Sequence, residues 1–365
     1  MLLLVLFSPA WFYFVPVVFG VNDIPPANDF IFKIKNSTEP SEISYRKLLR
    51  DPTGRQNPLL PYSNKPWCPS WIYIAPCECG GSQGFPILTC KELAHFHDLH
   101  RIFSSWFPVT DFGKLSLTNS DISTLSKGIF GNIRFEYIYV YKTTLKKVEK
   151  GAFGQSNESL KRIEIIHNDL ETFPFQDLQH FLKLGYLQLK YNGIKRIPDF
   201  AFGYVPELKK IDLSFNKIFH IGSYAFKDLP CLEQLDLRFN KLAVLNNHAF
   251  HLSKPNNLLN LDISNNKIIL IANEAFHNQV PKVLNISKNN LKKLKDTEFK
   301  PVLLNMIDKN DGVLVVNDNR FLCTCVNVKW LLRLRERIRR HVKGYFCSDL
   351  KKPLFEITLN EIECY

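Results

Sequence analysis

His95, His97 and His100 stand close together after Cys90, and three imidazoles at such short range could hold a transition metal. No carboxylate or thiol stands at a spacing that completes a ligand set, so these histidines are expected to face solvent. No nucleotide-binding loop or His-Glu-x-x-His pair is present, and no nucleophile elbow is expected. An enzyme, a resident metal and a cofactor are therefore not expected, and function is sought on the surface.

The cysteines are the other reactive groups. Of nine, four stand early (Cys68, Cys77, Cys79 and Cys90) and four late (Cys323, Cys325, Cys347 and Cys364). Each cluster contains a Cys-x-Cys, and neither carries the histidines of a common zinc finger. They are expected to be disulfide staples made in an oxidising compartment, a zinc site being the alternative in a reducing one. Cys231 is expected to be a part-buried apolar filler, with an intermolecular disulfide as the alternative.

Charge is concentrated near the C-terminus. From Arg320 to Lys352 ten Lys or Arg face two acids, contributing +8 of the net +12. Over Lys329–Lys343 a helix is expected, with Trp330, Leu331, Leu334 and Ile338 on one face. Arg333, Arg335, Arg337, Arg339, Arg340 and Lys343 would then form a cationic surface for a sulfated glycosaminoglycan, or simply solvate a cap.

What positions such residues is a repeat. Ser120, Thr143, Asn168, Asn192, Asn216, Asn240, Asn266 and Asn289 recur 23 to 26 residues apart. Ten residues after each stands a large apolar residue: Phe130, Phe153, Leu178, Phe202, Phe226, Phe250, Phe276 and Phe299. One unit reads Leu208-x-x-Ile211-x-Leu213-x-x-Asn216-x-Ile218-x-x-Ile221, the leucine-rich repeat pattern. The apolar-x-apolar pair has period two, so a short strand sends those side chains inward. The inward asparagine can satisfy backbone groups where the buried chain turns. A single unit would leave both flanks of its core wet, so the units must stack and their ends must be capped. The expected fold is an α/β leucine-rich repeat solenoid with a curved, parallel β-sheet on its concave face and disulfide-bonded caps at both ends. Irregular or short helical segments should form the outer side.

The period also names the residues on the sheet face. One outward row is Ser116, Tyr139, Glu164, Gln188, Asp212, Asp236, Asp262 and Asn285. The next is Thr118, Tyr141, Ile166, Lys190, Ser214, Arg238, Ser264 and Ser287, and beside it run His167, Tyr191, Phe215 and Phe239. Tyr139, Tyr141, Lys190, Tyr191, Asp212, Phe215, Asp236, Arg238, Phe239 and Asp262 form a candidate protein-binding surface, with aromatics beside fixed charges. The competing reading is a solvated acidic stripe and aromatics packed on the next turn.

Residues 1–20 carry no charge and have the length of a secretory signal, and an uncleaved membrane anchor is the alternative. No second apolar run of membrane length follows, so after cleavage no span is expected. Residues 21–66 are expected to be a flexible leader, 67–112 an N-terminal cap, 113–300 about eight repeats and 301–365 a C-terminal cap. Asn36, Asn157 and Asn285 head glycosylation sequons. A secreted location, in extracellular space or matrix, follows, and nucleic acid is disfavoured by that compartment.

With Asn319-Arg320-Phe321-Leu322-Cys323-Thr324-Cys325, then Trp330-Leu331-Leu332, Cys347 and Cys364, the chain resembles the extracellular leucine-rich repeat family with cysteine-rich flanks. The resemblance covers about Cys68 to Cys364 and implies the pairs Cys323–Cys347, Cys325–Cys364, Cys68–Cys79 and Cys77–Cys90. The interval from Cys68 to Cys77 is longer than the family's usual one. Leu170-Glu171-Thr172-Phe173-Pro174-Phe175-Gln176-Asp177-Leu178 is similar to secreted arthropod proteins named after the non-catalytic subunit of oplophorus luciferase. That resemblance implies a binding companion within an extracellular complex.

Overall fold

The computed structural model describes residues 65–254, 258–276, 281–309 and 311–364. The expected signal segment, Asn36 and all but the last two residues of the expected leader lie outside them.

Because apolar side chains alternate with polar ones, each unit lays down one strand. Twelve join in one sheet among the described residues. In chain order they are β1 (Glu78–Ser82), β2 (Phe85–Lys91), β3 (Asp111–Thr118), β4 (Arg134–Tyr141), β5 (Arg162–Ile166) and β6 (Tyr186–Gln188). Then follow β7 (Lys210–Asp212), β8 (Gln234–Asp236), β9 (Asn260–Asp262), β10 (Val283–Asn285), β11 (Val313–Val315) and β12 (Val342–Lys343). Each pairs with its neighbour in sequence; β1 and β2 form an antiparallel hairpin, and every later pair is parallel. The sheet stays open, as a stack of coils requires.

The asparagines do what the turn demands. Asn240 donates through Nδ2 to the carbonyls of Leu213 (3.0 Å) and Leu237 (3.0 Å), and its Oδ1 accepts from Ile218 N (2.9 Å). Asn216 repeats this with Leu189, Leu213 and Ile194. Ser120 is a shorter version, accepting from Leu93 N and donating to the Thr118 carbonyl. A further rung not expected from the repeat count is Asn319, which donates to Ile286 and Val316 and accepts from Leu291 N.

On the far side, two-residue strands pair between coils, as Arg196–Ile197 does with His220–Ile221, and 3-10 turns fill Gly154–Ser156 and Phe175–His180. A spine of buried phenylalanines closes the coil, with Phe202, Phe226, Phe250 and Phe276 stacked at 5.3 to 6.1 Å between centroids. In the third unit, where Leu178 stands in place of phenylalanine, Phe175 continues that spine, its ring 5.2 Å from that of Phe202. The 3-10 turn of the third unit carries Phe175 into the aromatic position, and Leu178 is buried beside it.

Disulfides join Cys68 to Cys79, Cys77 to Cys90, Cys323 to Cys347 and Cys325 to Cys364, so both ends of the described chain are stapled. β3 begins at Asp111 and a helix runs through Asp296–Asp308. The single helix expected over Lys329–Lys343 is two, Cys325–Arg333 and Arg335–Ile338. Leu334, at φ −100° and ψ 3°, leaves the helical region between them, and Lys343 belongs to β12.

Candidate binding face

The strand register brings the predicted rows together. Tyr139 pairs with Glu164, Glu164 with Gln188, Gln188 with Asp212, Asp212 with Asp236, and Asp236 with Asp262. The aspartates are not a bare acidic stripe. Asp212 accepts from Gln188 Nε2 (2.9 Å), from Ser214 Oγ (2.6 Å) and from Ser214 N (3.0 Å). Arg238 reaches back to Asp236, at 3.0 Å from Nε and 2.7 Å from Nη2, and its Nε lies 3.8 Å from Asp262. Hydrogen bonding to Asp236 holds the guanidinium above its ordinary pKa. Asp262 in turn accepts from Asn285 Nδ2 (3.0 Å).

The aromatic row occupies the residue before each rung, where the chain must turn. Lys142, His167, Tyr191, Phe215 and Phe239 all have φ between 50° and 55°, the left-handed region that large side chains seldom enter. The conformation keeps each backbone N–H bonded to the next coil: Phe215 N donates to the Arg238 carbonyl (2.9 Å) and Tyr191 N to that of Ser214 (3.2 Å). It also aligns the rings. His167 stacks on Tyr191 at 4.2 Å, Tyr191 on Phe215 at 4.3 Å and Phe215 on Phe239 at 4.3 Å, with interplanar angles of 7°, 19° and 12°. Both faces of Phe215 are therefore covered by neighbours. Phe239, at the end of the stack, remains 44% exposed.

The N-terminal half of the face holds residues the sequence reading left out. Lys114, Tyr137, Arg162 and Tyr186 stand one pleat before the chosen row, at two residues' distance, and extending the period upstream would have found them. Glu164 is buried and accepts from Tyr137 Oη (2.5 Å) and Arg162 Nε (2.6 Å). The Arg162 guanidinium lies 4.3 Å from the Tyr186 ring centroid. Lys114 Nζ sits 4.6 Å from the Tyr137 centroid and 4.8 Å from that of Tyr139. Tyr139 stacks on Tyr141 at 6.0 Å. Burial, with the Glu164 charge, pushes the Tyr137 phenol well above its usual range; burial raises Tyr139 and Tyr186 too. All three phenols keep their protons at neutral pH, and that of Tyr137 is donated to Glu164.

The other nominated residues lie elsewhere. Arg333, Arg337, Arg339 and Arg340 are exposed near the C-terminal end. Arg335 is half-buried: its Nη2 donates to the Ile357 carbonyl and its Nε is buried. Asn157 is exposed after a 3-10 turn. Asn285 lies on β10, but its amide already donates to Asp262 and its Oδ1 accepts from Ser287 Oγ (2.7 Å). His95, His97 and His100 are exposed; His95 N donates to Asp98 Oδ2 (3.1 Å) at the start of the helix Phe96–Phe103. Cys231 is a half-buried free thiol. Gly80-Gly81-Ser82-Gln83-Gly84 does spell Gly-x-Ser-x-Gly, contrary to the expectation of no such elbow. It forms the tip of the β1–β2 hairpin, where Ser82 pairs with Phe85, and not the strand-to-helix turn that exposes a nucleophile. Among the described residues no helix is long and apolar enough to cross a membrane.

Comparison with known proteins agrees with this architecture. A leucine rich repeat model matches residues 182–242, and a BspA type leucine rich repeat region of six copies matches residues 244–365. Over 139 residues the chain is 34% identical to the Oplophorus-luciferin 2-monooxygenase non-catalytic subunit of Oplophorus gracilirostris, covering 37% of this chain and 39% of that protein. The chain thus spans well under half of the relative it matches. Among solved structures it is similar to the TLR13–ssRNA13 complex, with TM-score 0.52, 21% identity, and coverage of 63% of this chain and 31% of that one. It is also similar to the octameric complex of Latrophilin 3, Unc5D and FLRT2, with TM-score 0.51, 17% identity, and coverage of 75% and 88%. At those identities the likeness concerns the fold. With the period, the asparagine rungs, the open parallel sheet and two matching repeat models in agreement, the chain belongs to the leucine-rich repeat family.

Proposed function

We propose that this chain is a secreted, non-catalytic leucine-rich repeat protein that binds a protein partner through the outward face of its sheet, as the accessory chain of an extracellular complex. The observation that carries this is the continuous face over β4–β9, where a stack of aromatic rings runs beside charges already fixed by hydrogen bonds. Pre-ordered side chains lose little entropy on association, and aromatic and arginine residues supply most of the energy at protein interfaces. Four disulfides support an oxidising compartment, and the similarity to a protein named as a non-catalytic subunit supports the accessory role.

The test is affinity capture from the secreting tissue with the intact chain as bait, followed by binding of the isolated partner to Phe239→Asn. Asn265 occupies the same left-handed position in the next unit, so asparagine keeps the backbone there. The variant should stay folded, losing only the one stacking contact with Phe215, yet bind about tenfold more weakly, a loss of roughly 1.4 kcal/mol. Unchanged affinity, together with full binding by Tyr139→Ala, would remove the face from consideration.

A second reading is retention on sulfated glycans. Arg333, Arg339 and Arg340 are exposed and make no ion pair among the described residues, and Arg337 has only Asp308, at 3.8 Å. Such cations can track a polyanion, so elution from heparin at a salt concentration typical of any basic protein would dismiss this reading.

A further inference from the structure

We propose that the face reads a peptide of opposed charge: acidic side chains over the Lys114–Tyr137–Tyr139 cluster and basic ones over Asp212 and its neighbours. The inference rests on the face being the binding surface, and it names the chemistry of what binds there.

The first observation is an uncompensated cation held in place. Lys114 Nζ lies between two phenol rings, 4.6 and 4.8 Å from their centroids, and has no carboxylate partner among the described residues. Ring faces attract an ammonium group and strip part of its water without cancelling its charge, so it remains able to receive an anion. Tyr137 is fixed from behind by the buried Glu164 carboxylate, which also takes up the Arg162 charge. Lys142, over the Tyr141 ring at 5.4 Å, adds a second cation at the same edge.

The second observation is that the sign reverses along the face. Asp212, Asp236 and Asp262 stand in one row, and among the described residues only Arg238 forms ion pairs with them, through Asp236 and Asp262; the partners of Asp212 are neutral. From β3 to β7 is four strand spacings, roughly 20 Å at about 5 Å each. An extended peptide covers that with about six residues. A uniform polyanion such as a sulfated glycan would satisfy Lys114 and then meet three carboxylates, a repulsion that selects against it. A peptide with separated acidic and basic residues meets opposite charge at both places.

The experiment uses fluorescence anisotropy with the full chain and three probes. One is a block peptide, a run of glutamates joined through a short glycine spacer to an equal run of lysines, long enough to reach from β3 to β7. The others are an alternating peptide of the same composition and a heparin hexasaccharide. The block peptide should bind more tightly than the alternating one. Lys114→Glu should weaken it by about tenfold and Lys114→Gln by less, with melting unchanged. Asp212→Asn should weaken it too while keeping the turn, because Asn285 in the same row accepts from Ser287 N and Oγ through its Oδ1 as Asp212 does from Ser214. Equal affinity for the two peptides, no binding of the block peptide, or indifference to both Lys114 variants would overturn the inference. So would a heparin hexasaccharide that loses more affinity than the block peptide on Lys114→Glu. A captured partner that still binds Lys114→Glu but not Phe239→Asn would overturn this inference and leave the binding face standing. A partner indifferent to both would remove the face itself.

Discussion

The ring of Phe215 lies 4.3 Å from that of Phe239 at an interplanar angle of 12°, although 24 residues separate them and both adopt left-handed backbone. Tyr191 covers the other face of Phe215 at 4.3 Å. Each aromatic pair contributes about 0.5–1.5 kcal/mol beyond area burial. Phe215→Asn should therefore cost about 1–3 kcal/mol in urea unfolding, and Phe239→Asn about half as much, because Phe239 ends the row. The reverse order would mean that the stack does not stabilise the coil.

Removing a rung should be felt more deeply. Asn216→Ala leaves the buried amide of Ile194 and the carbonyls of Leu189 and Leu213 without their side-chain partner. At about 1–3 kcal/mol per orphaned group, partly relieved by relaxation, a loss of roughly 2–4 kcal/mol is expected. Hydrogen exchange should report it locally, with Ile194 N losing protection while rungs several coils away keep theirs.

The C-terminal staple closes the longest loop. Cys325 and Cys364 are 39 residues apart, and the chain-entropy relation gives about 4 kcal/mol for a loop of that length. Replacing both by serine should lower stability by about 2–4 kcal/mol at the C-terminal end, read by thermal unfolding and by protease cleavage after β12. An unchanged unfolding curve would show that the cap is held by packing alone.

A pH effect belongs to the same cap. Lys352 Nζ (2.6 Å), then Thr358 N (2.8 Å) and Thr358 Oγ1 (3.2 Å) hold the Glu361 carboxylate, whose pKa is pushed down to about 2 from 4.5. A depressed carboxylate stabilises the fold above its unfolded value and loses that contribution as pH falls, here between 4.5 and about 2. An NMR titration of Glu361 should show a midpoint near 2, with the Thr358 amide shifting in parallel. Glu361→Gln should abolish the Thr358 response.

The arginines near the C-terminus should divide by role. Arg339→Ala with Arg340→Ala should lower the salt needed to elute the chain from heparin and leave melting unchanged. Arg335→Ala should do the opposite, because Arg335 bonds the Ile357 carbonyl and its Nε is buried. Equal effects on elution would place all of them on one surface.

Much of this was legible before any coordinates. Asn216 and Asn240 announce their place because a buried turn needs an inward amide, and inward strand positions such as Ile211 and Leu213 announce theirs through the period of two. Which apolar side chain of the third unit reaches the spine is not written in the spacing, because a 3-10 turn puts Phe175 there and buries Leu178 beside it. Nor is the break in the helix expected over Lys329–Lys343, because apolar spacing continues through Leu334 while the helical backbone does not.

The sequence by itself determined the coil, its stacking and which side chains point away from the core, because those follow from local periodicity and the need to satisfy buried backbone groups. Only the tertiary structure decided which outward residues meet. Tyr137 finds Glu164 at a separation of 27 residues, Arg238 turns to Asp236 and Asp262, and Lys114 settles between Tyr137 and Tyr139. Such pairings depend on register and rotamer across neighbouring coils, and linear spacing supplies the rows but not the partners within them.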